Sequence, residues 1–86
     1  MQETREFRGI SKRLAANYLE NLGGTRSDES GNRLEGEGWQ ADLSEQKVNV
    51  VGSITLTEVT VDFEGDREVL EPLIEGFARK AMRAGG

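Results

Sequence analysis

Between Val48 and Glu64 the chain reads VNVVGSITLTEVTVDFE, a run of β-branched residues alternating with polar ones that predicts extended structure. Val48, Val50, Ile54 and Leu56 occupy even positions, and Val59, Val61 and Phe63 odd ones, so the apolar side changes phase near Thr57 and Glu58. One flat strand cannot do this, because its side chains alternate with a period of two. Two readings fit. Either a β-bulge lies near Thr57, or Gly52-Ser53 is a hairpin turn followed by a long strand from Ile54 to Glu64 that carries apolar residues on both faces. The turn is the favoured reading.

The flanking segments supply partners for this strand pair. Residues 3–8, ETREFR, suit a short polar edge strand with Phe7 inward, ended by Gly9. Ile10, Leu14, Ala15, Tyr18, Leu19 and Leu22 recur at three- and four-residue spacing, which predicts a helix over about 11–22 with Ser11 as N-cap and Gly23-Gly24 as stop. TRSDESGN, residues 25–32, has the composition of a mobile surface loop. Arg33 to Leu43 reads as extended, with Leu34, Trp39, Ala41 and Leu43 inward and a bulge or turn at Gly36 and Gly38. Ser44 to Lys47 reads as a polar connection of hairpin-loop length.

After Phe63, Asp66 caps a second helix with a stripe from Val69, Leu70, Leu73 and Ile74 to Phe77, Ala78, Ala81 and Met82. Glu68, Glu71 and Glu75 come early and Arg79, Lys80 and Arg83 late, as the helix dipole favours. Pro72 predicts a kink, or a main helix that starts there. Gly76 suggests close approach to the sheet, or a bend or cavity. The order is β-α-β-β-(β)-β-α, a two-layer α+β domain with an antiparallel sheet of four to five strands and both helices on one face. The open face would show Thr55, Thr57, Thr60, Asp62 and Glu64, and residual apolar groups such as Val51 or Trp39 could seed a homodimer.

Composition narrows the chemistry. Eighty-six residues fit one domain, 1–86, with a modest core. There is neither cysteine nor histidine, which removes disulfides, thiol nucleophiles, Cys- or His-based metal sites and the Ser-His-Asp constellation. No apolar run approaches a membrane span and the N-terminus lacks a signal-peptide core, so a cytoplasmic location is expected. The formal charge of −5 is uneven: residues 28–75 carry a net −10 and the flanks a net +5. Were the two termini to lie together, their basic residues would form one patch on an acidic body. Net acidity argues against nucleic acid as a partner.

Individual motifs are mostly structural. Gly36-Glu37-Gly38-Trp39-Gln40-Ala41 matches a loose dinucleotide fingerprint, but no helix follows and no βαβ unit surrounds it, so its glycines read as turn or bulge residues. Glu35, Glu37, Asp42, Glu58, Asp62 and Glu64 read as an outward acidic face rather than paired catalytic carboxylates, and Trp39 as core. No catalytic, cofactor-binding or metal-binding residue is expected. Arg79, Lys80 and Arg83 are the candidate partner-binding residues. Gly85 and Gly86 are either a helix cap or a conjugation tail, since modifiers and sulfur carriers of the ubiquitin type also end in Gly-Gly.

SKRLAANYLENLGG, SITLTEVTVDFEGD and LEPLIEGFARKAMRAGG together resemble the C-terminal domain of MoaD-related proteins, over nearly the whole chain. The resemblance implies a fold like that of the TATA-binding protein, a curved antiparallel sheet with two helices. In those proteins a ubiquitin-like MoaD module precedes the domain, and these 86 residues do not include one. It also implies an association with molybdopterin or sulfur-transfer pathways, as a partner of a separate carrier, without implying an activity. The expectation is a non-enzymatic protein-binding or accessory domain; the alternative is carrier behaviour through Gly86.

Overall fold

The computed structural model describes residues 1–27 and 32–83. Its elements are β1 (Gln2–Arg8), α1 (Lys12–Asn21), β2 (Thr25–Arg26), β3 (Arg33–Gly36), β4 (Trp39–Val51), β5 (Ile54–Gly65) and α2 (Arg67–Arg83). The five strands form one antiparallel sheet in the order β1-β5-β4-β3-β2. This is the expected α+β arrangement. Two polar stretches differ from expectation. Thr25 and Arg26 pair with Glu35 and Leu34 as a short edge strand, and residues 28–31 of the expected loop lie outside the described residues. Ser44 to Lys47 is no connection but the middle of β4. Its side chains are exposed, so no apolar alternation marks it as strand.

The turn reading holds, and the phase change is that of one continuous strand, β5, with Ile54 and Leu56 on one face and Val59, Val61 and Phe63 on the other. Val51 pairs with Ile54 across Gly52-Ser53, and Gly52 has φ +56°. Ser53 is not at positive φ, so the turn is of type II′, which suits the right-handed twist of the strands. The irregularity in the ladder lies on β4 between Asn49 and Val51, while β5 pairs without interruption past Thr57. No bulge is therefore present at Thr57.

Directly opposed residues of an antiparallel pair share a face. The register thus places Phe7, Val59, Val61, Phe63, Leu43, Ala41 and Leu34 on one side, and all belong to or pack against the core. Both helices cover that side. On α1, Ala15, Ala16 and Leu19 are buried and Ser11 Oγ accepts from Leu14 N at 3.1 Å. Gly23 N donates to Glu20 O and Gly24 N to Leu19 O, a Schellman closure with Gly23 at φ +105°. On α2, Leu70, Leu73, Ile74, Phe77 and Ala81 are buried. Phe77 meets Phe7, Tyr18 and Phe63 edge-on, with centroids 4.8–5.9 Å apart.

Other details sharpen or correct the sequence reading. α2 runs through Pro72 as one helix, so it does not start there; Pro72 and Glu68 are both exposed, and water can satisfy the carbonyl that loses its donor. Gly76 faces Leu22 at the end of α1 rather than the sheet: a Cβ there would lie 3.3 Å from Leu22 Cδ2. Thr55 and Thr57 have the parity of Val59, so the open face instead carries Leu56, Glu58, Thr60, Asp62 and Glu64. Trp39 is core, seated among glycines; a Cβ on Gly36 would fall 2.1 Å from its Nε1, and one on Gly24 2.8 Å from its Cη2. That burial removes Trp39 as a dimer seed.

Candidate functional site

β4 and β5 outrun their neighbours. Paired contact with β1 ends at Arg8–Glu58, and with β3 at Arg33–Asp42. From Lys47 to Thr57 the hairpin is therefore a two-stranded arm, tied across by Lys47 Nζ donating to Thr57 Oγ1 at 2.7 Å. Val50, Val51, Ile54 and Leu56 are 44%, 67%, 60% and 40% exposed. These are four of the six large apolar side chains exposed among the described residues, which makes the arm tip the main apolar surface. Sequence reasoning picked out Val51 alone. The signal for the rest was the even-numbered apolar set, opposite in phase to the core set.

At the root of the arm, Glu58 is buried on the open face. Arg8 Nε donates to its Oε2 at 3.0 Å and Gln46 Nε2 to its Oε1 at 2.8 Å. The hydrogen bonds from Gln46 and then Arg8 hold its carboxyl below the usual carboxylate range against the opposing effect of burial. Farther along this face Thr4 Oγ1 donates to Asp62, and Arg33 pairs with Asp42 at 3.2 Å. Among the acids expected outward, Asp42, Glu58 and Asp62 are thus held by an ion pair or by hydrogen bonds, with Glu58 as the buried member that alternation alone did not reveal. Among the described residues no group of three or more Asp or Glu side chains is arranged to hold a metal ion.

A family model described as an archaeal MoaD-like protein matches residues 3–86. The chain belongs to that family. None of the curated proteins compared with it matches.

In this MoaD-like chain the remaining candidates sit as follows. Arg79, Lys80 and Arg83 lie in the last turns of α2, and Arg79 is paired with Glu75. Gly85 and Gly86 lie outside the described residues. Met1 exchanges backbone hydrogen bonds with Gly65 just before α2, and residue 83 lies at the other end of that helix. Arg5, Arg8 and Arg26 are each bound to a carboxylate. Gly36 to Ala41 is the β3–β4 turn and the start of β4, with Gly38 at φ +82°, and no helix N-terminus follows to receive a phosphate. Among the described residues no helix is long and apolar enough to cross a membrane.

Proposed function

We propose that this chain is a non-enzymatic accessory domain that binds a protein partner through the β4–β5 arm, in a sulfur-transfer or molybdopterin pathway of the kind its family membership suggests. The observation that carries the reading is the exposed cluster Val50, Val51, Ile54 and Leu56 on a strand pair with both edges unpaired. Such an arm offers backbone donors and acceptors for strand addition and apolar side chains to seal it. The partner that fits is a MoaD-type sulfur carrier. Titrating the isotope-labelled chain with such a carrier should move amide resonances over residues 48–56, and Val51→Asp with Ile54→Asp should abolish the shifts while the fold persists. An unperturbed arm would remove this reading.

A second reading has its own support, because the family match extends through Gly85 and Gly86. On that reading the C-terminal carboxylate of Gly86 is itself the reactive group of a carrier. Intact mass spectrometry of protein from native cells should then show adducts that vanish when Gly85-Gly86 is deleted; an absence of adducts on the full chain would leave the glycines as a helix cap.

A further inference from the structure

The two edges of the sheet are unlike. One is β2, only two residues long; the other is β1, seven residues with no proline. Gly65 N donates to Met1 O and Gly9 N to Thr57 O, so the odd-numbered residues of β1 direct their backbone groups at β5. The alternate residues Gln2, Thr4 and Glu6 therefore turn their N–H and C=O groups outward from the sheet. We propose that a second copy of this chain occupies this edge, pairing antiparallel β1 to β1 about a two-fold axis at Thr4, to give a continuous ten-stranded sheet.

Charge selects both the occupant and the register. In such a sheet outward-bonding residues must face one another, so the axis passes through one residue of β1. An axis at Arg5 sets Arg5 against its own copy, one at Glu3 or Glu6 sets like carboxylates together, and one at Phe7 leaves too few residues before Gly9. An axis at Thr4 opposes Thr4 to Thr4 and Gln2 to Glu6 as hydrogen-bonded pairs. It also opposes Glu3 to Arg5 twice, in the closer non-hydrogen-bonded positions where side chains interact most. The mixed charges that would deter a random strand thus suit a second copy.

The helix layer agrees. α2 runs beside β1 in the same direction, since Glu71 and Glu75 flank Met1, Glu3 and Arg5, while Met82 flanks Glu6 to Arg8. The two-fold at Thr4 therefore makes the two α2 helices antiparallel across the seam. It carries the acidic half of one, Glu71 and Glu75, toward the basic half of the other, Arg79 and Arg83. Met82, 72% exposed, lies along the same side and gains apolar cover.

Sedimentation over a concentration series, with circular dichroism to confirm folding, tests the proposal. The wild-type chain and Thr4→Ala should dimerise. Thr4→Pro, which removes an outward N–H and leaves the β5 ladder intact, should be monomeric and folded. Arg5→Glu should weaken the dimer about tenfold or more, and Glu3→Arg combined with Arg5→Glu should restore it. A monomeric wild type, a dimer indifferent to Thr4→Pro and Arg5→Glu, or a double swap that fails to restore association would overturn the proposal. Should either variant fail to fold, amide exchange on the wild type decides: Gln2, Thr4 and Glu6 protected only at high protein concentration supports the seam, and protection independent of concentration refutes it. None of these outcomes depends on the arm binding a carrier.

Discussion

The inner and outer halves of the β4–β5 hairpin use the same residue chemistry with opposite results. In the inner half Ala41 faces Phe63 and Leu43 faces Val61, with β1 and β3 alongside and both helices above, and none of the four is more than 6% exposed. In the outer half Val51 faces Ile54, with no strand or helix beside them, and both are at least 60% exposed. Hydrophobicity does not distinguish the halves. What does is where the neighbouring strands stop, so burial here is set by topology and the leftover apolar side chains are available for association.

The largest expected break in the comparison is a matched pair of truncations. Phe77→Ala in the covered half removes a fully buried ring that meets three others, and should cost about 3–5 kcal/mol in urea unfolding. Ile54→Ala on the arm should change stability by no more than about 0.5 kcal/mol. Comparable losses at the two positions would mean that the arm folds back onto the body.

Two glycines sharpen the contrast at lower amplitude. Gly36→Ala drives a Cβ into the indole of Trp39, which is buried in the core with Gly24 also close against it, so an overpacking loss of about 1–3 kcal/mol is expected. At Gly52 a Cβ meets nothing within 4 Å, but φ +56° is left-handed, so Gly52→Ala should cost about 1–2 kcal/mol through backbone strain alone. The mechanisms separate when Trp39→Phe is added: the smaller ring should recover part of the Gly36→Ala loss and none of the Gly52→Ala loss.

The covered half was legible in the sequence for the reason the arm was not. Ala15, Leu19, Leu70, Phe77 and the odd set Val59, Val61 and Phe63 follow the periods that burial on one side imposes. Ser44 to Lys47 and Thr25-Arg26 have no such constraint; they are strands because a neighbour's backbone pairs with them, which no side-chain pattern records. Val51 was visible as an apolar residue left over, whereas the arm it belongs to depends on β1 ending at Arg8 and β3 beginning at Arg33. Arg79, Lys80 and Arg83 were found by charge order along a helix, and the pair of Arg79 with Glu75 was legible too, since it is a local i,i+4 contact within α2.

The smallest expected effect lies at the boundary between the halves, at Glu58. The β1–β5 ladder ends at this residue: Arg8 and Glu6 approach from β1, and Gln46 from β4. Its folded-state carboxyl is held below the unfolded value near 4.5 by donors that bind the anion. A lowered carboxyl contributes stability above the unfolded pKa and loses it as pH falls through the folded one. Arg8 is 59% exposed, so salt screening keeps the contribution modest. Melting temperatures of the wild type and Glu58→Gln, followed from neutral pH down through 4.5, should therefore converge on acidification, with the other acids cancelling in the difference. A gap that stays constant with pH would show that Glu58 acts only by its shape, and that the arm is joined to the body by packing rather than by this charge.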